Sequence, residues 1–243
     1  DANQIMGEAL FLRAFCYFYL TNLFGEVPLA LNTDYQSNRL LNKSDQPHVY
    51  QQIASDLRNA IPLLASDYSF TGGQRVRVTA WAARALLARV QLYSGNWKLA
   101  ELEADTVINN QELFALTSPG ETFLANSKES ILQFMPVISG YNTWEGYGFI
   151  LTGIPSSSPG QVALTEEMVN VFEENDLRKL RWVDSLNTGS VVYYFPSKYK
   201  VQTGSNLTEY YSVLRLAELF LIRSEARAMT GDLTGAVTDL NVI

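Results

Sequence analysis

The chain has 243 residues, 47% apolar and 18% charged, the balance of a folded globular protein with ample core and not of a disordered one. Its formal charge of −7 comes without any cluster of lysine and arginine, which speaks against nucleic acid and against an anionic membrane surface, because phosphate binding needs concentrated positive charge. One cysteine excludes an internal disulfide, one cysteine plus one histidine cannot supply a zinc site, and no run of 18 uncharged apolar residues is present to span a membrane.

Apolar residues are dense from Ile5 to Phe24. Leu10, Phe11, Ala14, Phe15, Phe18 and Tyr19 recur at helical spacing while Leu12, Leu20 and Leu23 fall on other sides, so the pattern predicts a helix buried around most of its circumference, with Cys16 as a small core residue. Gly25 stops it and Pro28 prevents resumption. After a polar loop, Ser44 or Asp45 is placed to cap a helix with Pro47 in its first turn and Val49, Ile53, Leu57, Ala60, Ile61 and Leu64 on one face. Thr79 is placed to cap Ala80–Ser94, whose alanines let a neighbour approach closely; Gly95 then ends that helix and Asn96 caps one running to about Asn109.

Leu87-Ala88, Gly95-Asn96-Trp97 and Ala100 follow the spacing of a tetratricopeptide helix pair, and Gly231-Asp232-Leu233 with Ala236 repeats it in register. Together with the pair formed by Ile5–Phe24 and Pro47–Leu64, they predict at least three helix hairpins in a short solenoid. Between the copies the texture changes: Ile131–Met135, Val191–Phe195 and Tyr199–Val201 read as short strands, Thr165 caps a helix from Glu166 to Glu174, and Ile154–Gly160 has surface-loop chemistry. The fold class expected is therefore mainly α, a tetratricopeptide-like helix-hairpin solenoid with an irregular, short-stranded insertion. The expected organisation is a single domain over 1–243, with a helical core at 1–110 and 164–243 and the loop-rich insertion at 111–163. Both ends cut into apolar runs, which reads as a fragment of a longer protein.

Signals for catalysis are poor. His48 lies in the first turn of a helix, where a surface or capping role fits best, and neither Gly72-Gly73 nor Gly146-Tyr-Gly148 extends into a phosphate-binding loop. Glu166-Glu167 opens a helix, where the dipole favours negative charge, and Glu173-Glu174 reads as a solvated face rather than as glycosidase carboxylates. Aromatic residues make up 12% of the chain and concentrate with glycine in one loop, Gly140 to Phe149. Flat apolar rings with polar groups between them suit sugar rings, so Tyr141, Asn142, Trp144 and Tyr147 are the candidate ligand-binding residues. A second reading stays open, in which Trp144 and Phe149 form only the loop's own small core. Tyr193, Tyr194, Tyr210 and Tyr211 read as strand packing. No cofactor and no metal are expected.

The blocks Glu8–Leu20 with Leu23–Leu29, Val49–Ile53 with Asp56–Ala60, Ala85–Tyr93 with Gly95-Asn-Trp97, Phe172–Arg178, Lys198-Tyr199 and Val213–Ala226 resemble, in order, the signature blocks of the SusD/RagB family. That resemblance implies a cell-surface binding protein, not an enzyme, built on tetratricopeptide-like helix pairs. It implies capture of an oligosaccharide or other small nutrient, delivery to a TonB-dependent outer-membrane transporter, and residence on the extracellular face of the outer membrane through a lipid anchor. The anchoring cysteine and an arginine-rich segment after Asn241 are family features not found among these residues. The alternative carried beside this reading is a tetratricopeptide-type protein–protein interaction scaffold, whose groove would be lined by exposed Asn, Lys and Arg. A glycosidase would require two carboxylates facing each other across the aromatic loop.

Overall fold

In the computed structural model of the chain, residues 1–155 and 161–243 are described, so the loop expected at Ile154–Gly160 falls mostly outside them. The chain divides into two compact units, one made of 1–114 with 214–243, the other of 115–213. The expectation of one domain with its helical core resuming at 164 is thereby corrected: residues 164–213 belong to the second unit. The reason is local, because the helices there are only five or six residues long and the segment closes a hairpin on itself instead of offering a long apolar stripe to a solenoid.

The first unit opens with α1 (Ala2–Phe24), capped by Asp1, whose carboxylate accepts the Asn3 N–H at 3.2 Å. Gln4, Gly7, Phe11, Ala14, Tyr17, Phe18 and Thr21 are its buried residues, a single stripe at spacings of three and four. The helix is thus not buried all round: Leu12, Leu20, Leu23 and Cys16 are exposed, since within this unit it packs mainly on the helix after next and the turn that follows it. A Cβ at Gly7 would lie 2.7 Å from Leu64 Cγ, so glycine is what allows α1 to sit close on that turn. A two-residue strand β1 (Val27–Pro28), a short α2 (Tyr35–Asn38) and β2 (Lys43–Ser44), antiparallel to β1, lead to α3 (Gln46–Ala60). Asp45 caps α3 by accepting the His48 N–H at 2.9 Å. Arg13 of α1 clamps the buried Asp56 of α3 with two bonds, of 2.7 and 2.6 Å.

Next come α4 (Ala80–Tyr93), capped by Thr79, and α5 (Trp97–Ile108). Gly95 turns between them at φ 72°, a left-handed conformation that suits a residue without Cβ. Asn96 does not cap α5 with its side chain as expected; its amide instead donates to Gln91 Oε1 at 2.8 Å.

The second unit contains β3 (Ser130–Phe134), α6 (Trp144–Phe149), α7 (Glu166–Asn170), α8 (Leu177–Trp182) and the antiparallel hairpin β4 (Val183–Asn187) and β5 (Val192–Pro196). β6 (Tyr211–Arg215) lies beside β3 and is followed directly by the returning helices. Three expectations are corrected here. Tyr199–Val201 is not a strand, α7 stops at Asn170 instead of reaching Glu174, and residues 144–149 form a helical turn despite two glycines. The core is aromatic: the Phe123 ring lies 5.6 Å from Trp182 and 5.2 Å from Tyr199, centroid to centroid.

The chain rejoins the first unit as α9 (Leu216–Thr230) and α10 (Leu233–Leu240), with Gly231 at φ 95° between them. The two repeat copies share the same backbone bond at their turns, Asn96 N–H donating to Gln91 C=O and Asp232 N–H to Arg227 C=O, each at 2.9 Å. Ala100 and Ala236 are buried at the corresponding helix crossings. α5 packs on α9, so the copies share one stack, and Arg223 of α9 ties them by reaching Asp105 of α5 at 2.7 Å and Asp239 of α10 at 2.9 and 2.6 Å. The helix-hairpin solenoid read from the sequence is the fold of this unit.

Candidate functional site

The aromatic loop lies wholly within the second unit. Thr143 starts its helical turn by accepting the Gly146 N–H at 3.0 Å. Gly146 is held against Val201, whose carbonyl oxygen occupies the space a Cβ would need. The close approach explains why a glycine stands inside this helix, and why the pattern read as loop. Further ties come from Gly204 N–H to Gly140 C=O at 2.8 Å and from the Gln202 amide to Ile150 C=O at 2.9 Å.

That framework brings three of the four candidate residues together. Tyr141 and Trp144 lie 5.3 Å apart with planes at 30°, Tyr141 and Tyr147 meet edge-on at 4.9 Å, and Trp144 and Tyr147 meet at 5.6 Å. Trp144 is 53% exposed and Tyr147 44%, so the cluster presents ring surface to solvent instead of serving as the loop's buried core. Asn142 behaves differently. It is 1% exposed, its Oδ1 accepts the Thr208 and Glu209 N–H groups at 2.8 and 3.0 Å, and its Nδ2 donates to Asn206 C=O at 3.0 Å. The expectation that Asn142 binds ligand is corrected: its hydrogen-bonding groups brace the loop. Sequence alone showed a polar residue between aromatics, without its partners some 65 residues downstream.

Beside the rings lies a groove of about 580 Å³, within the range that accommodates small ligands. One wall is Tyr141, Trp144 and Phe149; the other is the apolar segment Phe134–Ile138, which the sequence reading did not assign to any site. Groove chemistry is supplied by Glu145 and Tyr211. The Tyr211 hydroxyl accepts the Trp144 N–H, which leaves its own hydrogen to offer. The Tyr211 phenol is a neutral donor at neutral pH, as any tyrosine is, and burial with the nearby Glu145 charge pushes its pKa further above the ordinary value. A smaller cavity of about 350 Å³ shares Glu145 and Phe149 and adds Lys198, whose ammonium lies over the Trp182 and Phe123 rings at 5.1 and 5.7 Å. The paired carboxylates behave as read: Glu166 and Glu167 occupy the first turn of α7, and Glu173 and Glu174 are exposed.

On the helical unit a groove of about 470 Å³ runs between α3 and α4. Of the Asn, Lys and Arg expected for a scaffold groove, its lining holds Asn96 and Arg58 but no Lys, beside Gln46, Gln51 and Gln91. Much of its polar lining is already used, Gln46 on Thr21 C=O and Tyr50 on Asn22, each at 2.9 Å. Among the described residues no group of three or more His, Cys, Asp and Glu is placed to hold a metal ion, and no helix is long and apolar enough to cross a membrane.

A SusD-like family model, described as starch-binding and associating with the outer membrane, matches residues 1–92. The helical stack is shared by a crystal structure of a SusD superfamily protein from Bacteroides thetaiotaomicron, 25% identical, with a TM-score of 0.81 over 99% of this chain. Over these spans the chain is similar to the SusD/RagB family. A similar curated protein is SusD-like protein P2 of Formosa agariphila, 29% identical over 201 residues. The fold alone is shared with a SusD-like carbohydrate binding protein from Bacteroides vulgatus, at 20% identity and a TM-score of 0.78. The chain spans 39% of the Formosa relative and 58% and 54% of the two structures. The SusD/RagB family match covers α1 through most of α4 and stops before the aromatic groove, whose residues therefore rest on geometry.

Proposed function

We propose that the chain is part of a cell-surface protein that captures glycans without covalent chemistry, and that Tyr141, Trp144 and Tyr147 form the binding platform. The observation that carries the reading is a cluster of three mutually contacting rings, Trp144 and Tyr147 exposed and Tyr141 half-buried, at the edge of an apolar groove. Sugar rings have apolar faces and polar rims, so they stack on such rings while Glu145 and Tyr211 meet hydroxyl groups. The likeness of residues 1–92 to a family described as starch-binding and associating with the outer membrane supports the same reading. By the same reasoning the protein acts at the extracellular face of that membrane and passes its ligand to a TonB-dependent transporter. The ligand class is an oligosaccharide, and no cofactor takes part.

Isothermal titration of the chain against a panel of oligosaccharides tests this, with Trp144→Ala as the decisive variant. One stacking contact is worth on the order of 1 kcal/mol, so the variant should bind about fivefold to tenfold more weakly. Because Trp144 is largely exposed, its loss should leave the fold intact, as circular dichroism would show. Affinity unchanged in Trp144→Ala removes the platform.

A further inference from the structure

The groove has an uneven charge inventory. Among the described residues, those lining it, with Phe134–Ile138 on one side and Tyr141, Trp144 and Phe149 on the other, include no lysine, arginine or histidine. The one carboxylate among the described residues lining it is Glu145, on the first turn of α6 next to the ring platform. Asn142 also lines the groove, but its amide is spent on residues 206–209, and the Tyr211 phenol is neutral. The one cation of the neighbouring cavity, Lys198, is engaged by the faces of Trp182 and Phe123, and does not line the groove that holds the platform. A ligand resting on Trp144 therefore meets a negative charge, a neutral hydroxyl donor and hydrocarbon.

From this arrangement we infer that the site selects uncharged glycans against anionic ones, and that Glu145 is the residue that sets the selection. The inference rests on the glycan-binding reading of the same site and specifies its substrate class. A neutral saccharide places hydroxyl donors against the Glu145 carboxylate, an acceptor that forms strong charge-assisted bonds. A uronate or sulfate ester on the same ring brings a second negative charge toward Glu145, with no cation in the groove to offset it and an apolar wall that cannot solvate it. At a separation of about 6 Å and the effective dielectric of a protein surface, repulsion after salt screening amounts to roughly tenfold in affinity per anionic group. Selection of this kind follows from repulsion and from the missing counter-charge together.

The test is titration of the 243-residue chain with two sets of hexasaccharides. One set is neutral (gluco-, xylo- and manno-configured) and the other is anionic (oligogalacturonate and a sulfated galactan), at low and at high salt. The expected result is binding within the neutral set, at least tenfold weaker binding of the anionic set at low salt, and a gap that narrows with salt. Glu145→Gln should shrink the gap by strengthening the anionic set. Lys198→Gln should leave the gap as it is. Equal affinity for both sets, a gap unmoved by Glu145→Gln, or a preference for anionic ligands that Lys198→Gln abolishes would each overturn the assignment to Glu145 while leaving glycan binding in place. Absence of binding to every member of both sets would instead remove the glycan-binding reading, and this inference with it.

Discussion

Asn142 offers the sharpest separation between a residue that touches ligand and one that shapes the site. In Asn142→Ala three groups lose their partner: the N–H groups of Thr208 and Glu209 and the carbonyl of Asn206. Thr208 and Asn206 are exposed and can turn to water, whereas Glu209 is 2% exposed and its N–H is stranded. A stranded buried group costs roughly 1–3 kcal/mol and each lost net hydrogen bond about 1 kcal/mol more, which places the total near 3 kcal/mol. If the loss is confined to the loop, local opening becomes about a hundredfold easier. The Glu209 carboxylate accepts the Lys200 and Val201 N–H groups at 2.7 and 3.0 Å, so those amides should be unprotected with it. Amide hydrogen exchange reads this directly: faster exchange at 200, 201, 208 and 209 in the variant, with α5 amides in the helical unit as unchanged reference. Asn142→Asp retains both acceptor contacts but loses the donor to Asn206, and should lie between the two. Wild-type exchange at these amides together with lost glycan binding would show that Asn142 contacts the ligand, and the bracing argument would fail.

Two further outcomes follow from the helical unit. Arg223→Met removes three bonds to carboxylates, two of them to the buried Asp239, and should lower the unit's unfolding free energy by about 3 kcal/mol in urea, because α5 and α10 lose one of two cations that bridge them, the other being Arg227 between Glu101 and Asp239; a loss below about 1 kcal/mol would refute the view that Arg223 locks the two repeat copies. Burial pushes the Tyr68 phenol up to about 12 from its ordinary 10.0. As pH rises from 10 toward 12 the unfolded phenol ionises while the folded one does not, so the stability present below pH 10 is progressively lost, by up to roughly 3 kcal/mol. Urea midpoints measured at pH 8 and pH 11 should converge in Tyr68→Phe relative to wild type, and an unchanged difference would assign the alkaline loss elsewhere.

The helical unit was legible in the sequence because its information is local. Helix periods, the Thr79 and Asp45 caps and the Gly95 and Gly231 turns each depend on residues within one turn of helix, and the common spacing from each glycine to Ala100 or Ala236 marked the copies as equivalent. Density of apolar residues, by contrast, did not reveal how much of α1 is covered. Leu12, Cys16 and Leu23 look like core in one dimension, and only the placement of neighbouring elements shows that a single stripe is buried.

In the second unit the ring types of the platform could be read in the sequence, and its geometry could not. The turn that gathers Tyr141, Trp144 and Tyr147 exists because Gly146 lies against the Val201 carbonyl and Asn142 reaches residues 206–209, contacts between segments about 55 to 65 residues apart. The second wall, Phe134–Ile138, became part of a groove only through chain folding. Local patterning thus determined which residues are helical and which rings are candidates, since propensity and capping act over a few residues. Tertiary structure alone decided which of those side chains face solvent, which are spent on the protein itself, and that Glu145 is the acid among them, since burial and hydrogen-bond partnership depend on segments far apart in the chain.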